Sequence, residues 1–183
     1  TRPTAQHFID LLVATHLIYR LAPFGYGKEV LRGRYKIYLA DAALAPAVML
    51  KGRSVIDDPT ALGMAAEAAV LKHLFARYYR NNVRFTYWRD RKNHEVDLVA
   101  EIEGQIIPFE VKYRSQHVTA ADLKGLTLFC AERQADRGYV ITRELDDFGL
   151  FAHKGTARLL RVPAALLCYW MGEMELRQQR EGD

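Results

Sequence analysis

Two strand-like segments joined by one turn dipeptide constrain the fold more than any other part of the sequence. They cover residues 95–102 and 105–113, and Glu103-Gly104 is the turn-like pair between them. A two-residue hairpin loop at that pair fixes which residues of the two strands face each other. One side of the hairpin is then apolar throughout, as a sheet face packed on a core must be. The apolar pairs in this register are Leu98 with Phe109, Ala100 with Ile107, and Val96 with Val111.

The opposite side of the same hairpin carries charge. The register sets Asp97 opposite Glu110, and Lys112 follows on the same side two residues later. Directly opposed carboxylates repel each other by roughly 3 kcal/mol at an effective dielectric constant of about 20. The pair therefore calls for a cation, which a divalent metal ion or Lys112 can supply. The alternative interpretation is a solvated sheet face with ordinary cross-strand ion pairs, such as Lys112 with Glu95.

A third carboxylate lies on an upstream helix predicted over residues 63–79. Glu67 shares its helical spacing with Val70, Leu71 and Leu74, which form the stripe expected to pack on the sheet. A carboxylate in that position is costly unless it is paired or metal-bound. If the helix lies over the sheet, we expect Glu67 to reach toward the acidic pair on the hairpin.

This group of side chains suits metal-assisted hydrolysis. Carboxylate oxygens are the ligands that Mg²⁺ and Mn²⁺ prefer, and such an ion can activate water against a phosphodiester bond. In this hypothesis Asp97, Glu110 and Glu67 bind the metal ion, and Lys112 positions the attacking water or stabilises negative charge. Nearby carboxylates favour the ammonium form of Lys112, so we do not expect it to act as a general base.

The same residues resemble a known signature. Glu95-Val-Asp-Leu-Val and Pro108-Phe-Glu-Val-Lys-Tyr are similar to the motif of PD-(D/E)xK nucleases, and Gly63-Met-Ala-Ala-Glu67 is similar to their upstream helical element. The resemblance implies a catalytic metal site with Mg²⁺ or Mn²⁺. It departs from the signature at Val96, which stands where the motif has proline. The positions that match are Asp97, Glu110, Lys112 and Glu67.

Further segments resemble the uncharacterised C-terminal domain of bacterial and archaeal AAA-type ATPases. In that family a P-loop ATPase module comes first, then a winged-helix segment, then a nuclease-like domain. The resemblance implies an ATPase module in the same full-length protein that is absent from this sequence, which has no phosphate-loop motif and starts at Thr1. The matching segments are residues 17–21, 36–41, 87–89 and 122–126.

The order of the predicted elements is typical of an α/β fold. After residue 52, a helix, three strands, a helix and a strand predict a mixed central sheet flanked by helices, as in restriction endonucleases. Residues 1–52 predict a smaller winged-helix-like segment, which we expect to join domains rather than contact DNA. In its second strand, Tyr35, Ile37 and Leu39 alternate with polar residues, as in a half-buried strand.

Basic and aromatic residues crowd the stretch before the predicted site. The chain carries 26 Lys and Arg against 22 Asp and Glu, for a net charge of +4, which permits a nucleic-acid partner. Cations would meet phosphates, whereas we expect most of the interleaved aromatic rings to lie in the core. The predicted nucleic-acid contacts are Arg89, Arg91, Lys92 and Arg114.

The remaining features exclude several other classes. No apolar run approaches the roughly 18–20 residues of a membrane span, and no secretory signal is present. Cys130 and Cys168 lie in apolar surroundings, which predicts free buried thiols and a cytoplasmic location. The histidines and cysteines lack zinc-ligand spacing.

We therefore predict a metal-dependent nuclease acting on DNA, with RNA as the second choice of substrate. One alternative is a domain that binds nucleic acid without cleaving it. Another is a protein-docking module that regulates the ATPase, with a partner surface around residues 35–39. The sequence is compatible with an oligomer.

Overall fold

One sheet of eight strands organises the part of the chain that the computed structural model describes, which is residues 2–26, 34–78, 80–81 and 83–181. The Gly25-Tyr26-Gly27 segment also predicts a turn, and this turn and the predicted helix end at Tyr79 extend outside these ranges. The elements, in chain order, are α1 (Arg2–Ala14), β1 (Ile18–Pro23), β2 (Lys36–Leu39), α2 (Leu44–Val48), a 3₁₀ helix (Gly52–Ile56), α3 (Pro59–Arg77), β3 (Arg84–Arg89), β4 (Glu95–Ile102), β5 (Gln105–Lys112), α4 (Lys124–Arg133), β6 (Arg137–Thr142), β7 (Gly149–Phe151), β8 (Arg158–Pro163) and α5 (Ala164–Glu181).

The sheet is mixed and has helices on both faces, which confirms the predicted α/β class. Its strand order is β2-β1-β3-β4-β5-β6-β8-β7. β1 pairs parallel with β3, and β5, β6 and β8 run parallel to one another. α3 and α5 pack on one face through a cluster that includes Leu71 and Leu167, and α4 packs on the other through Leu126 and Phe129. None of the described helices is both long and apolar enough to cross a membrane.

The β4–β5 hairpin has the predicted register. Backbone pairing runs from Leu98 opposite Phe109 to Ile102 opposite Gln105. Glu103 and Gly104 form the loop with φ angles of 50° and 79°, the left-handed pair that a tight two-residue turn requires.

β4 contains an irregularity that the sequence pattern did not predict. Two residue steps on β3, from Thr86 to Trp88, span three steps on β4, from Val99 to Val96. The extra residue changes the face that the start of β4 presents, as a β-bulge does. Val96 therefore joins the cluster under α4, while Leu98 joins the one under α3 and α5. The expected common face of Val96, Val111 and Leu98 is thus wrong at Val96.

The N-terminal segment has the predicted helix and two strands, and these strands continue the central sheet. β1 pairs antiparallel with β2, from Ile18 opposite Leu39 to Leu21 opposite Lys36, and it reaches β3 at Ala22 and Pro23. The expected division at residues 52 and 53 remains a prediction, and it falls within the 3₁₀ helix.

β2 presents the opposite face to the one that its alternation suggests. Lys36 and Tyr38 are half-buried, whereas Ile37 is 48% exposed. The inward residues are the polar ones because Lys36 meets carboxylates inside and Tyr38 packs against the core beneath α3.

α3 begins four residues before the predicted start. The side chain of Asp58 accepts hydrogen bonds from the backbone N–H groups of Thr60 and Ala61, and Pro59 occupies the first helical turn. The buried stripe of Val70, Leu71 and Leu74 then faces the sheet, as the spacing of these residues predicts. Glu67, one turn before Val70, comes to the same side.

Candidate metal centre

Acidic side chains from α3 and β4 converge on the ammonium group of Lys36. Lys36 Nζ lies 2.5 Å from Glu95 Oε1, 3.1 Å from Asp97 Oδ1 and 3.4 Å from Glu67 Oε1. These four side chains are 17–25% exposed, so they form a recessed cluster rather than a solvated sheet face.

Asp97 links this cluster to β5. Its Oδ1 faces Lys36, and its Oδ2 accepts a hydrogen bond of 2.9 Å from the backbone N–H of Val111. The carboxylate is therefore held with one oxygen on each side. After burial, the charge of Asp97 is the next contribution that raises the pKa of both Glu67 and Glu110.

Glu110 is the most buried acid of the group. The residue is 5% exposed, and its Oε1 lies 2.6 Å from Lys112 Nζ. Its Oε2 is buried and has no hydrogen-bond partner among the described residues. Burial and the nearby charge of Asp97 raise the pKa of Glu110 to about 8. Lys112 therefore does not compensate fully for the burial of the Glu110 carboxylate and for the charge of Asp97.

The other acids differ in how well they are compensated. Burial, followed by Asp97, raises the pKa of Glu67, although the side chain meets Lys36 and accepts a hydrogen bond from the Tyr38 hydroxyl. The pKa of Glu95 is lowered instead, because Lys36 and Arg89 outweigh the opposing effect of burial. Glu95 is thus the acid that existing cations satisfy best.

Both lysines of the site are held as cations. Burial acts to lower the pKa of Lys36, but the charges of Asp97 and Glu67 outweigh it and raise that pKa. Burial likewise opposes the ammonium form of Lys112, and Glu110 reverses the effect and raises its pKa. The neutral amine that general-base catalysis needs is therefore disfavoured at Lys112.

Two lysines occupy the carboxylates: Glu67, Glu95 and Asp97 face Lys36, and Glu110 faces Lys112. Among the described residues, no three Asp, Glu, His or Cys side chains are arranged to hold one metal ion. The chemistry of the acids nevertheless fits Mg²⁺ or Mn²⁺, since all are hard oxygen donors and Glu110 Oε2 is an orphaned buried oxygen.

The predicted nucleic-acid contacts have different surroundings. Arg89 donates from Nε to Glu95 at 2.7 Å, and Arg114 pairs with Asp122 at 2.5 Å. Arg91 and Lys92 are exposed in the turn between β3 and β4. Two of the four cations are thus ion-paired, and the other two point to solvent beside the acidic cluster.

Two members of the cluster were missed by sequence reasoning. Lys36 and Tyr38 come from β2, which lies outside the β4–β5 signature. The available signal was the polar half of the β2 alternation, read as the solvent face. Glu95 was considered only as a partner for Lys112, and in the structure it pairs with Lys36 and Arg89.

An apolar cavity of about 340 Å³ adjoins the cluster on the α3 side. Lys36 and Glu67 line it together with aliphatic side chains from β2, α2 and α3, among them Leu39, Pro46 and Met64. The acidic cluster therefore has an open apolar flank.

The cysteines lie outside this site. Both Cys130 and Cys168 are free thiols, and Cys130 is buried while Cys168 is half-buried. Burial raises the pKa of each to about 11, so both are protonated and unreactive near neutral pH.

Comparison with known proteins gives families and relatives without an assigned function. Residues 62–163 match a family model described as a domain of unknown function, DUF4143, and residues 1–55 match another such domain, DUF8612. An uncharacterized protein of Mycobacterium tuberculosis and one of Mycobacterium bovis are each 30% identical over 115 residues, or 61% of this chain. The matched part spans 25% of the length of either relative.

Proposed function

We propose a function for this chain on the premise that it belongs to the DUF4143 family, whose model matches more than half of it. The proposed function is metal-dependent hydrolysis of phosphodiester bonds in nucleic acid, with DNA as the expected substrate. The observation that carries the proposal is that Asp97 and Glu67 share the ammonium group of Lys36, while the buried Glu110 has Lys112 on one carboxylate oxygen and no partner on the other among the described residues. This arrangement supports the resemblance to PD-(D/E)xK nucleases.

The residues that would hold the metal ion are Asp97 and Glu110, with Glu67 completing or adjusting the ligand set. Glu110 Oε2 is buried without a hydrogen-bond partner among the described residues, so a cation there would offset the unfavourable free energy of burying an unpaired oxygen. Bound Mg²⁺ or Mn²⁺ would polarise the phosphoryl oxygen and lower the pKa of a bound water. Asp97 would keep its orientation through the Val111 N–H.

Lys112 would act as a cation in the reaction. Its raised pKa favours the ammonium form, which can orient the attacking water or stabilise the extra negative charge on the phosphoryl group. Arg91 and Lys92, which are exposed beside the cluster, would contact backbone phosphates. Arg89 and Arg114 would first have to leave their acidic partners to do the same.

We extend the proposal to the protein as a whole. Domains of this family are commonly attached to AAA ATPases, and this chain spans about a quarter of the length of its curated relatives. An ATPase module elsewhere in the full-length protein would control when the nuclease domain meets its substrate.

A second function is favoured by one specific observation. Lys36 already supplies a cation to the acidic cluster, so a domain that binds nucleic acid or docks on its ATPase without cleavage would be stable in this form. That alternative predicts salt-sensitive DNA binding that persists when Asp97 is replaced, with no cleavage products.

A cleavage assay tests the proposal. Linear duplex, supercoiled and single-stranded DNA, and RNA, would be incubated with Mg²⁺, Mn²⁺ or EDTA. We expect products that require the metal ion and disappear in D97N and K112A. The matched controls are E132Q and K124A, which change exposed residues of α4. Absence of products under every condition, including with the ATPase module added, would contradict the proposal.

A further inference from the structure

We infer that Lys36 is a built-in counter-ion of the acidic cluster, and that a divalent metal ion must displace its ammonium group to reach Glu67 and Asp97. The inference rests on the proposed metal site. It adds a control step to that site, because a side chain from β2, an edge strand of the sheet, limits the binding of the metal ion.

The contacts of Lys36 carry the inference. A single nitrogen lies within 3.4 Å of oxygens from Glu67, Glu95 and Asp97. Glu67 and Asp97 are proposed metal ligands, and Glu95 lies on β4 two residues before Asp97. An ammonium group in that position satisfies the same oxygens that a metal ion would use. It explains why no metal-ligating arrangement of acids exists among the described residues as the side chains stand.

The charges make the two occupants mutually exclusive at these oxygens. Glu67, Glu95 and Asp97 offer three negative charges, and Lys36 supplies one positive charge at their centre. A dication bound to the same oxygens would meet the ammonium group at close range, where like charges repel strongly in a half-buried site. Binding of one therefore requires withdrawal of the other.

The fold allows Lys36 to withdraw. β2 is an edge strand that, within the part of the chain that the structure describes, pairs with β1 alone, so its side chains can move without disturbing the pairing of β4 and β5. The lysine side chain is long and flexible, unlike a planar guanidinium group. The Glu95 carboxylate would keep Arg89 as its partner after the lysine leaves.

Metal affinity measured directly tests the inference. Mn²⁺ binding would be followed by isothermal titration calorimetry and by the loss of the free Mn²⁺ electron paramagnetic resonance signal. We expect K36M to bind Mn²⁺ at least tenfold more tightly than the wild type, because the competing cation is gone. K36R, which keeps the charge, should bind Mn²⁺ no more tightly than the wild type. K72M, which removes the solvent-accessible lysine paired with Asp41, should bind as the wild type does.

Equal or weaker Mn²⁺ binding by a folded K36M would overturn the inference. Failure of K36M to fold without a metal ion is an outcome that also tests the inference, because K36M removes the cation that Glu67, Glu95 and Asp97 share. If circular dichroism finds K36M unfolded in EDTA, Mn²⁺ should restore the wild-type spectrum. Failure of Mn²⁺ to restore it, while K36R folds normally, would also overturn the inference.

The binding measurement separates this inference from the proposed function. Tight Mn²⁺ binding by K36M without DNA cleavage would reject the nuclease proposal and leave the counter-ion role intact. If the wild type cleaves DNA in a metal-dependent way and binds Mn²⁺ as tightly as K36M does, the nuclease proposal stands and the counter-ion role of Lys36 is rejected.

Discussion

The ammonium nitrogen of Lys36 lies 3.1 Å from Oδ1 of Asp97, although β1 and β3 separate their strands in the sheet. The contact joins the edge of the sheet to its centre through charge rather than through backbone pairing. Because both side chains are less than a quarter exposed, solvent screens the interaction only in part.

This contact predicts energetic coupling between the two positions. D97N and K36M should each lower the free energy of unfolding, and the double variant should be less destabilised than the sum of the two. The expected coupling energy is about 1–3 kcal/mol, as for contacting residues in one ion-pair network. Urea unfolding of the wild type, both single variants and the double variant measures it. Strict additivity would mean that the pair contributes nothing specific.

Removal of Lys112 should expose the cost of the buried Glu110 carboxylate. In K112A the glutamate loses its cationic partner, and we expect a destabilisation of roughly 1–3 kcal/mol at high pH. Burial and Asp97 raise the pKa of Glu110 to about 8 in the folded protein, so the native state loses stability as pH rises from the unfolded-state value of about 4 to about 8 and then levels off. Without Lys112, which opposes this shift, the pKa of Glu110 should rise further, and K112A should go on losing stability above pH 8. The destabilisation of K112A should therefore be larger at pH 9 than at pH 6.

The measurement is chemical unfolding of K112A and wild type at both pH values. K124A provides a control, since that lysine is exposed at the start of α4. A K112A deficit that is the same at pH 6 and pH 9 would contradict the assignment of the cost to Glu110.

The hydrogen bonds of Asp122 predict that the free energy of unfolding falls in acid. Hydrogen bonds from the Thr119 hydroxyl and backbone N–H, followed by Arg114, lower the pKa of Asp122 to about 2. A lowered pKa contributes stability that is present above the unfolded-state value of about 4 and is lost as pH falls toward the folded-state value. The advantage of the wild type over D122N should therefore shrink between pH 4 and pH 2.

Thermal or urea unfolding of wild type and D122N across that interval checks the prediction. D136N is a suitable control, because Asp136 is an exposed aspartate after α4. A wild-type advantage that stays constant down to pH 2 would show that the ionised Asp122 side chain does not stabilise this turn.

The close approach of α4 to β4 at Gly125 predicts that a larger side chain there would clash with the β4 backbone. A Cβ atom at this position would lie 2.2 Å from the backbone oxygen of Glu95, and backbone atoms cannot rotate away. G125A should therefore push α4 off the sheet and destabilise the protein by roughly 1–3 kcal/mol. In contrast, G63A in α3 meets nothing within 4 Å and should be neutral or stabilising. Equal unfolding midpoints for G125A and G63A would contradict this account.

The hairpin was predictable because two independent signals agreed on it. The turn dipeptide and the apolar pairing both gave the register that joins Leu98 to Phe109, and Glu103 and Gly104 form the loop. The helical spacing of Glu67 correctly predicted which side of α3 faces the sheet. These are local periodicities, and tertiary structure did not override them.

The features that could not be predicted depend on contacts between distant segments. Carboxylates on α3 and β4 determine which face of β2 points inward. The alternation of polar and apolar residues within β2 carries no information about those distant carboxylates. The irregularity in β4 separates Val96 from Leu98 although the sequence alternates without interruption. The apolar spacing predicts a helix over residues 120–133, but the Asp122 side chain accepts a hydrogen bond from the Thr119 N–H and α4 begins at Lys124.

The continuous sheet limits how freely this domain can be recombined. Residues 1–55 and 62–163 match separate family models, yet the acid-bearing strand lies in one segment and the lysine that neutralises it in the other. A gene fusion that transferred only the second segment would carry the carboxylates without their cation and leave β3 as a bare sheet edge. The two segments therefore build this site together.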